Sequence, residues 1–132
     1  MRSWDWIPGV AVGELIFGAV LHPDDFDFHL ELLPRDDGTD WDTYRMEDEM
    51  ARISTEEGRI ISVECVTSLK LDDHELLGCE VSEVNHFLPT PATLHTVYEC
   101  GDERWECEKL GLTLWVENGV VESATVSSSW AT

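Results

Sequence analysis

The chain has 132 residues, with 8 Lys and Arg against 28 Asp and Glu, and a formal net charge of −20 at neutral pH. This length suits one domain, and 42% hydrophobic residues with six Trp are too apolar for a disordered acidic tail. So negative a field repels nucleic acid, anionic lipid and nucleotide phosphate, and attracts a basic protein surface.

Met1-Arg2-Ser3-Trp4-Asp5 leads straight into a Gly/Pro-punctuated segment, so no export signal is expected. Val10–Leu21 is apolar but short, and Gly13, Glu14 and Gly18 interrupt it, so no membrane span is expected and the cytoplasm is the expected compartment. Cys65, Cys79, Cys100 and Cys107 form no C-x-x-C pair and are expected as free thiols. After Gly18, Pro23 suits a first helical position, and Asp24 and Asp25 complement the positive end of a helix dipole. Phe26, Leu30 and Leu33 share one face, which predicts a short helix between His22 and Pro34. Pro34–Asp42 reads as a loop, because four of its nine residues are Asp. Thr43–Met46 predicts a strand, and Arg52–Cys65 a hairpin. Glu57-Gly58 reads there as a three- to five-residue loop with its Gly in the left-handed region. Ile61, Val63 and Cys65 alternate with Ser62 and Glu64, as on a half-buried strand.

The second half repeats this layout at a shift of about 60 residues. Glu14-Leu15-Ile16-Phe17-Gly18 is echoed by His74-Glu75-Leu76-Leu77-Gly78. Ser82 is a good N-cap for a second short helix with Val84, Phe87 and Leu88 inward. Leu94–Glu99 predicts a strand, and Arg104–Leu110 is its tail or a connection. Thr113–Val126 predicts a hairpin closed by Asn118-Gly119, a pair suited to a two-residue type I′ turn. Gly58 and Gly119 align at a shift of 61. The expectation is one α+β domain over residues 1–132, built from pseudo-repeats at about 9–66 and 73–127. Its antiparallel sheet would have about six strands, with two short helices on one face.

Enzyme chemistry finds little support. None of His22, His29, His74, His86 and His95 lies in a nucleophile signature, and there is no G-x-S-x-G. His95, Cys100 and Cys107 have no usual zinc spacing, and Asp36–Asp42 misses the register of a calcium loop. There is no phosphate loop or dinucleotide fingerprint, so no catalytic residue, metal or cofactor is expected.

The Gly13-Glu14-Leu15-Ile16-Phe17-Gly18 step, followed by a short helix and a hairpin with an acidic-Gly turn, resembles small bacterial immunity proteins of polymorphic and contact-dependent toxin systems. The resemblance is one of layout, and it carries over no individual residue. It implies a cytoplasmic protein that neutralises a cognate toxin by binding it. The charge points the same way, toward a basic toxin such as a nuclease, whose active site or substrate path an acidic inhibitor would block. The acidic segments expected to meet the partner are Asp24, Asp25 and Asp27; Asp36, Asp37, Asp40 and Asp42; and Glu47, Asp48 and Glu49. Trp41 and Tyr44 are the aromatic candidates among them. Trp41 is either an anchor for the partner or a cap folded back on the core. No nucleic-acid or membrane partner is expected, and the state is monomer or weak dimer. Two other readings stand beside this one: an acidic nucleic-acid mimic of the phage-inhibitor type, and a small ligand-binding α+β domain with a generic acidic coat.

Overall fold

The computed structural model describes residues 4–22, 24, 29–35, 41–46 and 51–128. Strands β1 (Trp6–Ile7), β2 (Ala11–Val12) and β3 (Leu15–Ile16) form a small antiparallel sheet. Then come β4 (Leu30–Leu32), β5 (Trp41–Met46), β6 (Arg52–Glu56) and β7 (Arg59–Cys65). A second small pair, β8 (Lys70–Leu71) and β9 (His74–Glu75), precedes helix α1 (Val81–Phe87). The chain continues through β10 (Thr93–Val97), β11 (Glu103–Cys107), a 3-10 turn at Glu108–Leu110, β12 (Leu112–Glu117) and β13 (Val120–Ser127). The large sheet has eight antiparallel strands in the order β10-β11-β12-β13-β7-β6-β5-β4.

The protein is therefore mostly β, 52% strand against 10% helical, and not the α+β arrangement of about six strands with two helices. Two segments account for the difference. Leu30–Leu32, expected in a helix, pairs with β5, setting Leu30 opposite Met46, Glu31 opposite Arg45 and Leu32 opposite Tyr44. Three residues are too few to show strand alternation, so the spacing of Leu30 and Leu33 imitates a helical stripe, while Phe26 lies outside the described residues. Glu103–Cys107 is a strand in its own right and not the tail of the one before it. Gly101, at φ +93, reverses the chain after β10, and the Tyr98 amide donates to the Asp102 carbonyl at 2.8 Å.

A helix does form where Val84 and Leu88 were expected to point inward, and both are buried. Its cap differs from expectation. Glu80 is the N-cap residue, Ser82 lies inside the helix, and no side chain caps the end. The sheet replaces the cap: Glu80 is bridged to Val120, and the first helical amide, Val81 N–H, donates to the Gly119 carbonyl at 2.9 Å. Phe87 does not point inward. It is 39% exposed and stacks on His74, with ring centroids 4.1 Å apart. Asn85 ties the helix to the start of β10, accepting from the Ala92 amide at 2.9 Å and donating to its carbonyl at 3.2 Å.

Glu57-Gly58 makes a two-residue turn and not the longer loop expected. Glu56 pairs directly with Arg59, and both turn residues hold positive φ, as type I′ requires. Asn118-Gly119 does the same between Glu117 and Val120.

The two hairpins are held to their halves by matching hydrogen bonds. Gly18 N–H donates to the Ile60 carbonyl, as Gly78 N–H does to the Val121 carbonyl, both at 2.8 Å. Ile60 N–H donates to Ala19 as Val121 N–H does to Cys79, and Leu21 N–H to Gly58 as Val81 N–H does to Gly119. Each hairpin carries one bulged residue, Ile61 in β7 and Glu122 in β13, again 61 positions apart. Where β7 meets β13, the Cys65–Ala124 and Val63–Val126 pairs exchange under that shift, and the Glu64–Thr125 pair maps onto itself. A pseudo-two-fold axis therefore crosses the large sheet at Glu64 and Thr125.

One face of that sheet carries the core. Met46, Ile53, Val63, Cys65, Leu114 and Val126 point into a cluster with Trp6, Val12, Leu15, Leu69, Leu76 and Val84 from the small sheets, their connections and the helix. Thr55, the one buried polar side chain among the described residues, donates to the Asp42 carbonyl at 3.3 Å. Among the described residues no helix is long and apolar enough to cross a membrane.

Candidate functional site

Strand alternation leaves the opposite face of the large sheet to polar residues. Thr43 and Arg45 on β5, Arg52 and Ser54 on β6, Ser62 and Glu64 on β7 and Thr125 on β13 stand on it. Thr113 and Trp115 on β12 and Arg104 and Glu106 on β11 continue it. Most are half-buried by one another, and no described element covers them with apolar side chains. Arg45 pairs with Glu31 across β4 and β5, and Arg104 pairs with Glu106 along β11. A shallow groove of about 440 Å³ runs over this face past Arg104, Glu106, Thr113, Thr125 and Ser127.

At one end the face opens into an acidic cleft of about 290 Å³. Asp102, Glu103, Glu117 and Glu122 line it beside Tyr98 and Trp115. The β10–β11 turn supplies Tyr98 and Asp102, the start of β11 Glu103, the end of β12 Trp115 and Glu117, and the β13 bulge Glu122. Tyr98 and Trp115 stack with centroids 6.5 Å apart, and the Arg104 guanidinium lies 5.4 Å from the Trp115 ring. Glu103 accepts from the Trp105 indole N–H at 3.0 Å, which holds its carboxylate on the core side of the sheet, away from Trp115. Asp102, Glu117 and Glu122 thus gather at this end of the face, and the nearby Arg104 guanidinium is already engaged by Glu106 and Trp115. The cleft is built to attract a cation and offers it an aromatic wall. Among the described residues no group of three or more His, Cys, Asp or Glu is placed to hold a metal.

The residues expected from sequence to meet a partner fall differently. Trp41 is 42% exposed on the open face, on the side of β5 away from the core. Tyr44 turns the other way and packs against the core. Asp42 is half-buried and bound by Arg35 at 2.9 Å, and Asp24 is exposed. Asp25, Asp27, Asp36, Asp37, Asp40, Glu47, Asp48 and Glu49 lie outside the described residues. Sequence reasoning missed the acidic cleft, whose signal was faint: a Trp two positions before the Glu of a Glu-Asn-Gly turn.

No family model matches the chain, and no curated protein or solved structure matches it significantly.

Proposed function

We propose that the protein is an inhibitor of the immunity type, which binds a basic toxin in the cytoplasm and blocks its active site or substrate path. The observation that carries this reading is the cleft in which Asp102, Glu117 and Glu122 gather around the Tyr98–Trp115 pair, in a chain of net charge −20. Aromatic centres with charged surroundings recur in protein interfaces. Carboxylates gathered at one end fit this better than a mimic of nucleic acid, which needs them spaced along a stripe. A long-range negative field steers a basic partner into contact, and the stacked aromatics then hold it. The test is affinity capture from lysate of the source cells, eluted along a salt gradient. A single basic protein retained to high salt by the wild type, and released at lower salt by a Glu117→Gln/Glu122→Gln variant, supports the reading. Equal retention by both proteins, or no retained basic protein, refutes it.

A further inference from the structure

The acidic cleft has a counterpart in the first half. A shift of 61 maps Asp102 to Trp41, Trp115 to Ser54, Glu117 to Glu56 and Glu122 to Ile61. Those four first-half residues also line one pocket, of about 430 Å³, with Ser62 and Ser127 beside them. The backbone frame is shared, down to the bulge that re-aims Ile61 in one half and Glu122 in the other. The chemistry is not. Where the second half sets Asp102, Glu117 and Glu122 around its Trp, the first sets an exposed indole, an isoleucine and serine hydroxyls around a single carboxylate.

From this pairing we infer that the Trp41 pocket is a second contact for the same basic partner, and that it receives a large apolar side chain while the acidic cleft receives a cation. The inference rests on the inhibitor reading. Three observations select this occupant. Both pockets lie on the face of the sheet that no described element covers, so one partner surface can reach both. Strand spacing and rise put them on the order of 20 Å apart, within the breadth of a standard protein interface. The pocket's lining is neutral apart from Glu56 and sits in a strongly negative molecule, which disfavours anionic ligands and leaves the indole to contribute by apolar contact. A partner held at two points through different chemistries also explains why the halves have kept their frame and lost their likeness.

Synthetic probes separate this inference from the reading beneath it. The probes are tri-arginine, and tri-arginine joined to a C-terminal Trp by a Gly/Ser linker of about 12 residues, whose end-to-end distance averages roughly 20 Å. A third peptide replaces that Trp by Ser. Binding is measured by calorimetry at low salt against the wild type, Trp41→Ala, Ile61→Glu and Glu117→Gln/Glu122→Gln. Ile61→Glu copies into the first half the residue that the second half carries at its bulge, so it changes the pocket without disturbing the strand. The expected result is that the linked Trp probe binds the wild type about tenfold or more tighter than tri-arginine or the Ser peptide. Trp41→Ala and Ile61→Glu should each erase that gain, and Trp41→Ala should leave tri-arginine binding unchanged. If tri-arginine binds and weakens in the double Gln variant, but the Trp adds nothing or its gain survives both pocket variants, this inference is overturned and the cleft reading stands. If tri-arginine binds wild type and double Gln variant alike, both fall.

Discussion

Gly111 and Gly58 both hold positive φ, +64 and +79, yet only one of them is crowded. A Cβ at Gly111 would lie 2.5 Å from the Ser127 carbonyl oxygen and 3.1 Å from its hydroxyl, whereas nothing lies within 4 Å at Gly58. Gly58→Ala should therefore cost only the left-handed penalty of a side-chain-bearing residue, about 1 kcal/mol. Gly111→Ala pays the same penalty and must also push back the end of β13. That strand end is held in place by the Ser127 N–H donating to the Gly111 carbonyl at 2.8 Å. Loosening that bond and the packing around it brings the expected loss to about 3 kcal/mol. Urea unfolding followed by Trp fluorescence measures both. With m unchanged, the Gly111→Ala midpoint should fall roughly 1 M below that of Gly58→Ala. Losses equal within about 0.5 kcal/mol would refute the packing of the β11–β12 connection on the end of β13.

Two further substitutions test other parts of the frame. Glu57 holds φ +53 in the first hairpin turn, where Asn stands at the equivalent position of the second. Glu57→Asn should stabilise the fold by roughly 0.5–1 kcal/mol in thermal unfolding, and no gain would mean that turn strain is absent. Asn85 makes both hydrogen bonds that anchor the buried Ala92 backbone to α1. Asn85→Ala should cost about 1–3 kcal/mol in the same assay and raise hydrogen exchange at Ala92, while an unchanged exchange rate would place the anchor elsewhere.

The hairpins were legible because Asn118-Gly119 and the Val- and Ile-rich runs around both turns act locally. Glu57-Gly58 misled because Glu is a poor left-handed residue, and only the matching frame around it fixes the tight turn. β4 was not legible, since three residues carry no period of their own and their pairing with β5 is a tertiary fact. Ser82 looked like a cap because the residue that does end the helix, Glu80, is held by Val120 and Gly119, some 40 positions away in the chain. The acidic cleft failed for a related reason. Its carboxylates come from the β10–β11 turn, β12 and the β13 bulge, and a bulge breaks the alternation by which a reader would assign a face. Composition drew attention to Asp36–Asp42 and Glu47–Glu49, where acids are dense in sequence. In the cleft they are dense only in space.

The most direct test of the central claim is to titrate this protein into its captured basic partner while following the partner's own toxic activity. The account predicts that activity falls to zero at one equivalent, and that Glu117→Gln/Glu122→Gln shifts the titration to higher concentration with a weaker dependence on salt. A partner that stays bound at one equivalent and fully active would contradict neutralisation.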